Sequence, residues 1–325
     1  AKKAIKDAIK KGALNPPQLL HIHRVGEDYL DGGDVEIRQK RDENGELMWR
    51  KNADGSVETD RDGKPVGVYE CPAFQETFGF SAGEFGNWEN QNDRRVNLNM
   101  AFEAFKDMTK AIGIAESDVS LGEQLALAWG SRGKGGAHAG AAHFEPDANV
   151  INLTKMNGAG ALGHEWGHAL DYAIARTSGR AVIADKGMFE TDTALRDESS
   201  VLHKVVNAMM YKPDGSRTEY YKDAIAIDEG FSRADKGYWK SSVEMFARAF
   251  HTYLLDKMKE ESVRNDYLCG HAEMSPIPDK DGKMHYTYPR GEERERINQE
   301  FDKVIEVLKE KGFFHEHGYE PQHQL

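Results

Sequence analysis

The chain has 325 residues, enough for a sizeable hydrophobic core in one large domain or two modest ones. Its 43 Lys and Arg stand against 55 Asp and Glu, a formal net charge of −12 that disfavours generic binding to a phosphate backbone. No run of about 18 apolar residues occurs, so no membrane span is expected. Cys71 and Cys269, the two cysteines, supply neither a disulfide framework nor a cysteine zinc site.

The N-terminus, Ala1-Lys2-Lys3-Ala4-Ile5-Lys6, is basic but has no apolar stretch behind it, so it is not read as a secretory signal and a cytoplasmic protein is expected. The lack of an initiator Met suggests a fragment cut from something longer. Residues 1–12 predict a short helix ended by Gly12 and stopped by Pro16-Pro17. In 34–70, strand-like pieces (Val35 to Ile37, Leu47 to Trp49, Val66 to Tyr69) alternate with Asn44-Gly45, Asp54-Gly55 and Asp62-Gly63. Each of those pairs is a hairpin signal, and together they predict a small antiparallel meander. The Asp-x-x-Gly pieces lack the alternating ladder of a calcium loop and read as tight turns.

An apolar stripe through Val96, Leu98, Met100, Phe102, Phe105 and Met108 predicts a helix over 91–113, followed by a shorter apolar segment from Ser120 to Trp129. The run Gly130 to Gly136 lacks the Gly-Lys-Ser/Thr ending of a phosphate-binding loop and reads as a flexible loop near the site. Ala141 to Phe144 and Val150 to Thr154 predict two strands joined by a turn at 145–149. Helices are predicted at about 160–176, 192–210, 243–258 (capped by Ser241 or Ser242) and 291–311.

The first of these four helices contains His164-Glu165-Trp166-Gly167-His168. Histidines four apart share one helix face, where two neutral imidazoles can converge on one Zn²⁺. Glu165 projects beside them as the candidate general base on a zinc-bound water. A catalytic zinc site needs a third protein ligand and an open fourth position. Asp171 and Ile174 stand where a three-histidine site would need Gly and His. A later glutamate is therefore expected. Glu244 is the best candidate, sharing a helix face with Ala247, Arg248 and His251, and Ala247 is small enough to let the two helices approach closely. Its rivals are Glu190, Asp192, Glu229 and Asp171. Asp171 reads either as a carboxylate holding an imidazole N–H or as a plain surface residue. His251 is either close to the site or exposed near its helix end, and His138 and His143 read as polar surface histidines.

Gly163 to Asp171, with Glu244-Met245-Phe246-Ala247-Arg248-Ala249-Phe250 downstream, resembles the glutamate-zincin pattern of anthrax-lethal-factor-type metallopeptidases. The chain more closely resembles the large polyvalent protein-associated domain, first of its series, found in phages and conjugative elements. Further residues carrying this likeness are Phe85-Gly86-Asn87-Trp88, Leu125 to Gly133, Ile151 to Lys155 and the segment from Tyr288 to Arg294. The resemblance covers roughly 78–310. It implies a zincin-like metallopeptidase and names no substrate. Tyr238, six residues before Glu244, has two readings: a donor to the tetrahedral oxyanion, or a packing residue, the preferred one. The lethal-factor pattern sets such a tyrosine one residue further away.

The expected fold is α+β: a zincin-like domain over 78–312 with a small mixed sheet, an active-site helix and a helical C-terminal part. A hairpin-rich segment precedes it at 1–77 and a tail follows at 313–325. The expected chemistry is zinc-dependent hydrolysis of peptide bonds, with His164, His168 and Glu244 as metal ligands and Glu165 and Tyr238 as candidate catalytic residues. The partner would be an intracellular protein or peptide, laid along His143-Phe144 or along 150–154 as an added strand, in a protein encoded by a phage or mobile element. Nucleic acid and membrane are not expected partners. The alternative is a non-catalytic zincin-like module of a larger protein, acting on DNA or a host partner.

Overall fold

The computed structural model describes residues 22–23, 29–30, 33–60, 62–85, 91–130, 142–153, 159–179, 189–230, 237–270, 272, 276–278 and 281–320. The expected helix at 1–12, the glycine run at 131–136 and His138 lie outside them.

In chain order the elements are β1 (Ile22–His23), β2 (Arg38–Gln39), β3 (Tyr69–Glu70), α1 (Pro72–Phe78), β4 (Gly83–Phe85), α2 (Gln91–Ile112), β5 (Ala126–Trp129), β6 (Ala142–Glu145) and β7 (Val150–Leu153). Then come α3 (Leu162–Thr177), α4 (Thr191–Ala194), α5 (His203–Met210), α6 (Glu219–Gly230), α7 (Ser242–Glu260), β8 (Arg264–Asn265), α8 (Asp266–Cys269), β9 (Ile277–Pro278), β10 (Met284–His285) and α9 (Gly291–Glu310). The class is α+β, as expected.

The main sheet is four-stranded and mixed, ordered β4-β5-β7-β6. β4, β5 and β7 are parallel, and β6 runs antiparallel on the edge, Phe144 opposite Ile151. The short apolar segment ending at Trp129 is an inner strand. β5 and β7 are buried at every position, which is why Ala-Leu-Ala-Trp and Val-Ile-Asn-Leu show no alternation. The β6–β7 turn closes with Asn149 at φ 50°, a left-handed conformation that asparagine tolerates.

The core is built around α7. Met245, Phe246, Ala247, Ala249, Phe250 and Leu254 are fully buried, because α7 is surrounded by α2, α3, α5 and α9. Phe246, Phe250, Tyr253 and Phe301 form an aromatic stack with centroids 5.1 to 6.2 Å apart. Val35 and Phe74 join this core from the N-terminal side, and Phe314 from beyond α9.

Two differences from the expected elements have physical causes. The helix expected over 192–210 is interrupted. The Asp197 carboxylate accepts from the Ser199 N–H and hydroxyl, and the Ser200 hydroxyl turns inward to the buried Glu190 at 2.5 Å. These side chains compete with helical hydrogen bonding. α6 had no counterpart in the sequence reading, and neither did α1, which starts at Pro72 and ends at Gly79 in the left-handed conformation. In the hairpin segment, Asp42, Asp54 and Asp60 each accept N–H bonds of their own turns, while Gly45, Gly55 and Gly63 take φ of 82°, 84° and 78°. These are tight turns, with their carboxylates committed to the turn backbone.

Candidate metal centre

α3 carries the two histidines and is held from behind. Trp166, on the opposite face, is fully buried, donates its indole N–H to the Val119 carbonyl at 2.9 Å and stacks on Phe250 and Phe314. Gly163 and Gly167 make the seam against α7. A Cβ on Gly163 would lie 3.0 to 3.1 Å from Leu254 Cδ1, His251 Cδ2 and the Leu268 carbonyl oxygen. One on Gly167 would lie 3.1 Å from Phe250 Cδ1 and 3.5 Å from Ala247 Cα. The role expected for Ala247 therefore has its counterpart in two glycines across the interface.

This close approach lets Glu244 reach both histidines. His164 Nε2 and His168 Nε2 are 3.1 Å apart. Glu244 Oε2 lies 3.5 Å from the first and Glu244 Oε1 3.4 Å from the second. Bonds of about 2.0–2.1 Å at tetrahedral angles set zinc ligand atoms about 3.3 Å from one another, so these spacings fit one ion. Among the described residues, these three form a group able to hold a metal. Glu244 Oε2 and His168 Nδ1 are buried without a hydrogen-bond partner, an unusual arrangement unless a further group completes it. Two nitrogens and a carboxylate oxygen are the donor types of a catalytic zinc site.

The electrostatics favour a cation at this point. Burial alone would push the Glu244 carboxyl up, but the imidazoles of His164 and His168 beside it hold it well below the usual carboxylate range. Burial works against a charged His168, yet Glu244 above all, then Glu165 and Asp171, raise its pKa. A site that draws a proton onto imidazole and expels it from carboxylate stabilises positive charge. Glu165, 6% exposed, exerts its charge on both His168 and Tyr238.

Tyr238 reaches the centre from the turn before α7. Burial first, then the charge and hydrogen bonding of Glu244, push its hydroxyl pKa up. The residue as a whole is 47% exposed. Its ring meets that of Trp239 edge-on, with centroids 5.5 Å apart. Ser241, the N-cap of α7, accepts from the Glu244 N–H at 3.3 Å and donates its hydroxyl to the Tyr238 carbonyl at 2.9 Å, tying the ligand's helix turn to the tyrosine.

Asp171 is fully buried and accepts from the Thr191 N–H at 2.9 Å and the Thr191 hydroxyl at 2.5 Å. Both sequence readings of it are thereby corrected: it lies below the surface, and it fastens α4 to α3 instead of an imidazole. Burial pushes its carboxyl pKa up to about 7. His251 is fully buried, its Nε2 donating to the Leu268 carbonyl at 3.0 Å, with its ring 6.1 Å from that of His164. Of the rival ligands, Glu190 is bonded to Ser178 and Ser200, Asp192 accepts from the Phe189 N–H, and Glu229 is exposed. His143 is half-buried beside Glu145 at 2.8 Å. A cavity of about 670 Å³, lined in part by Tyr172, Arg176, Glu190 and Lys311, touches none of the three ligands.

Sequence reasoning missed Asp228 and the partners of Arg248. Asp228 sits on the unforeseen α6 and is 1% exposed, and Arg248 is 4% exposed under Trp239. The one available signal was the place of Arg248 a helical turn after Glu244.

A family model described as large polyvalent protein-associated domain 1 matches residues 231–312, about a quarter of the chain. The match takes in Tyr238, Glu244, α7 and α9 and excludes α3, so it is narrower than the span 78–310 of the resemblance. No curated protein and no solved structure matches the chain. Among the described residues no helix is long and apolar enough to cross a membrane.

Proposed function

We propose that this chain is a zinc-dependent metallopeptidase of the glutamate-zincin type, with a zincin-like fold and a protein substrate. One observation carries the reading. His164, His168 and Glu244, from two helices and distant in sequence, bring their ligand atoms within 4.8 Å of one another, and Glu165 lies beside them. When bound, Zn²⁺ polarises a carbonyl oxygen and acidifies water. The protein's own groups do the rest. Glu165 takes a proton from the attacking water and hands it to the leaving amine. The Tyr238 hydroxyl donates a hydrogen bond to the oxygen on which negative charge develops. β6, the outer strand of the sheet among the described residues, would offer backbone groups to an extended peptide.

The test has two parts. Elemental analysis of the purified protein is expected to find one zinc per chain, lost in His164→Ala and in Glu244→Gln. Proteome-wide comparison of new protein termini is then expected to show cleavages with the unmodified protein that Glu165→Gln, still holding zinc, does not produce. Zinc without Glu165-dependent cleavage would favour the non-catalytic module, and no zinc would remove both the peptidase reading and its ligand set.

A further inference from the structure

The turn bearing Tyr238 is fastened from two helices. Asp228, on α6, receives the Trp239 N–H on Oδ1 at 3.0 Å and the Lys240 N–H on Oδ2 at 3.0 Å. Arg248, on α7, donates from Nη2 to the Trp239 carbonyl, and its guanidinium lies 5.0 Å from the centroid of the Trp239 ring. The Ser241 hydroxyl donates to the Tyr238 carbonyl at 2.9 Å. Four consecutive backbone groups, the carbonyls of Tyr238 and Trp239 and the N–H groups of Trp239 and Lys240, are thus satisfied by side chains.

Burying a carboxylate carries a large desolvation cost unless strong hydrogen bonds offset it. A surface turn can satisfy two amides with water at no such cost. A 1% exposed aspartate that bonds both amides of a turn carrying a 47% exposed tyrosine is a clamp on that turn. α6 contributes no metal ligand, so its aspartate acts on the centre through Tyr238.

We propose that Asp228, assisted by Arg248, is a positioning residue that holds the 238–240 turn, and with it Tyr238, against the first turn of α7 that carries Glu244. The catalytic consequence rests on the peptidase reading, but the positioning itself does not.

Protein carrying tyrosine labelled with ¹³C at Cζ is compared by NMR without metal and with one equivalent of Zn²⁺, the Tyr238 resonance being assigned by Tyr238→Phe. Asp228→Asn places an N–H against a backbone N–H and is expected to shift the Tyr238 resonance by several linewidths towards that of exposed tyrosine. Tyr253 and Tyr267, buried with Asp302 and Asn97 as partners, are expected not to move, and zinc affinity, read by competition with a chelating dye, is expected to hold. Asp228→Glu restores the acceptors imperfectly and is expected to shift Tyr238 less. Arg248→Lys, expected to shift it too, is the second variant should Asp228→Asn fail to fold. A Tyr238 resonance unchanged in these variants would overturn the proposal, as would equal movement of all three tyrosines. Absence of zinc binding by the unmodified protein would sink the peptidase reading, while the metal-free spectra would still decide the positioning.

Discussion

The helix pair α3–α7 and the hairpins at 40–68 are held together in opposite ways. In the pair, stability comes from contacts distant in sequence: Trp166 on Phe250 and Phe314, and two glycines against Leu254, Phe250 and Ala247. In the hairpins it comes from neighbours: Asp42, Asp54 and Asp60 bond to amides two to four residues on, and Leu47 and Trp49 stay 38% and 37% exposed. The first arrangement can hold ligand atoms at fixed spacing, because a packed core resists small displacements. The second holds only its own turn in shape. The candidate metal centre lies on the first.

The contrast breaks if substitutions in the two regions cost alike. Trp166→Ala is expected to cost most, about 3–5 kcal/mol, because it empties a fully buried site and leaves the Val119 carbonyl without its donor. Denaturant unfolding measures it, and a loss near that of a hairpin variant would end the distinction.

Asp171 sharpens the same comparison through pH. Its folded pKa, about 7, lies above the ordinary value of 3.8, so the folded state binds the extra proton. Its contribution is therefore fully present below about pH 4 and falls as pH rises to about 7, by no more than about 4 kcal/mol. Asp171→Asn lacks this slope. Unfolding free energies from pH 4 to 8 in a chelator are expected to favour the variant increasingly up to about pH 7 and evenly above. Parallel curves would show that Asp171 is ionised in the fold.

Gly163→Ala places a methyl against a backbone carbonyl, an imidazole and a leucine at 3.0 to 3.1 Å. The expected loss is about 1–3 kcal/mol of stability. With it should come roughly tenfold weaker zinc binding as α3 moves off α7. Unchanged zinc affinity would mean that the seam does not set the ligand spacing. The smallest effect is expected at Gly55→Ala in a hairpin, where φ is 84° and nothing lies within 4 Å. There the cost is conformational, about 1 kcal/mol, and zinc binding is expected to stay as it was. A loss of zinc in that variant would couple the hairpins to the centre.

Much of the candidate site was legible. The spacing of His164, Glu165 and His168 and the ligand count that led to Glu244 needed only helix geometry. Ser241 was one of two named caps. The turn glycines of the hairpins and the β6–β7 pair were legible because Asn-Gly, Asp-Gly and the segment before Asn149 act locally. The Asp228 clamp was not, since its partners at 239 and 240 are backbone groups whose identity no side chain reveals. The break between α4 and α5 was hidden for a related reason: the apolar spacing of Leu195, Val201, Leu202 and Val205 suits a helix, and the inward bond from Ser200 to Glu190 exists only once the core has formed.

The sequence by itself determined the histidine pair, the α+β class and the turns, because each follows from periodicity or from bonds between near neighbours. Only the tertiary structure decided that Glu244 and not Glu190 or Asp171 meets the histidines, that Asp171 binds Thr191, and that the turn of Tyr238 is held by Asp228. Those outcomes depend on how closely two helices approach and on which carboxylates are buried with other partners, quantities set by the packed core as a whole.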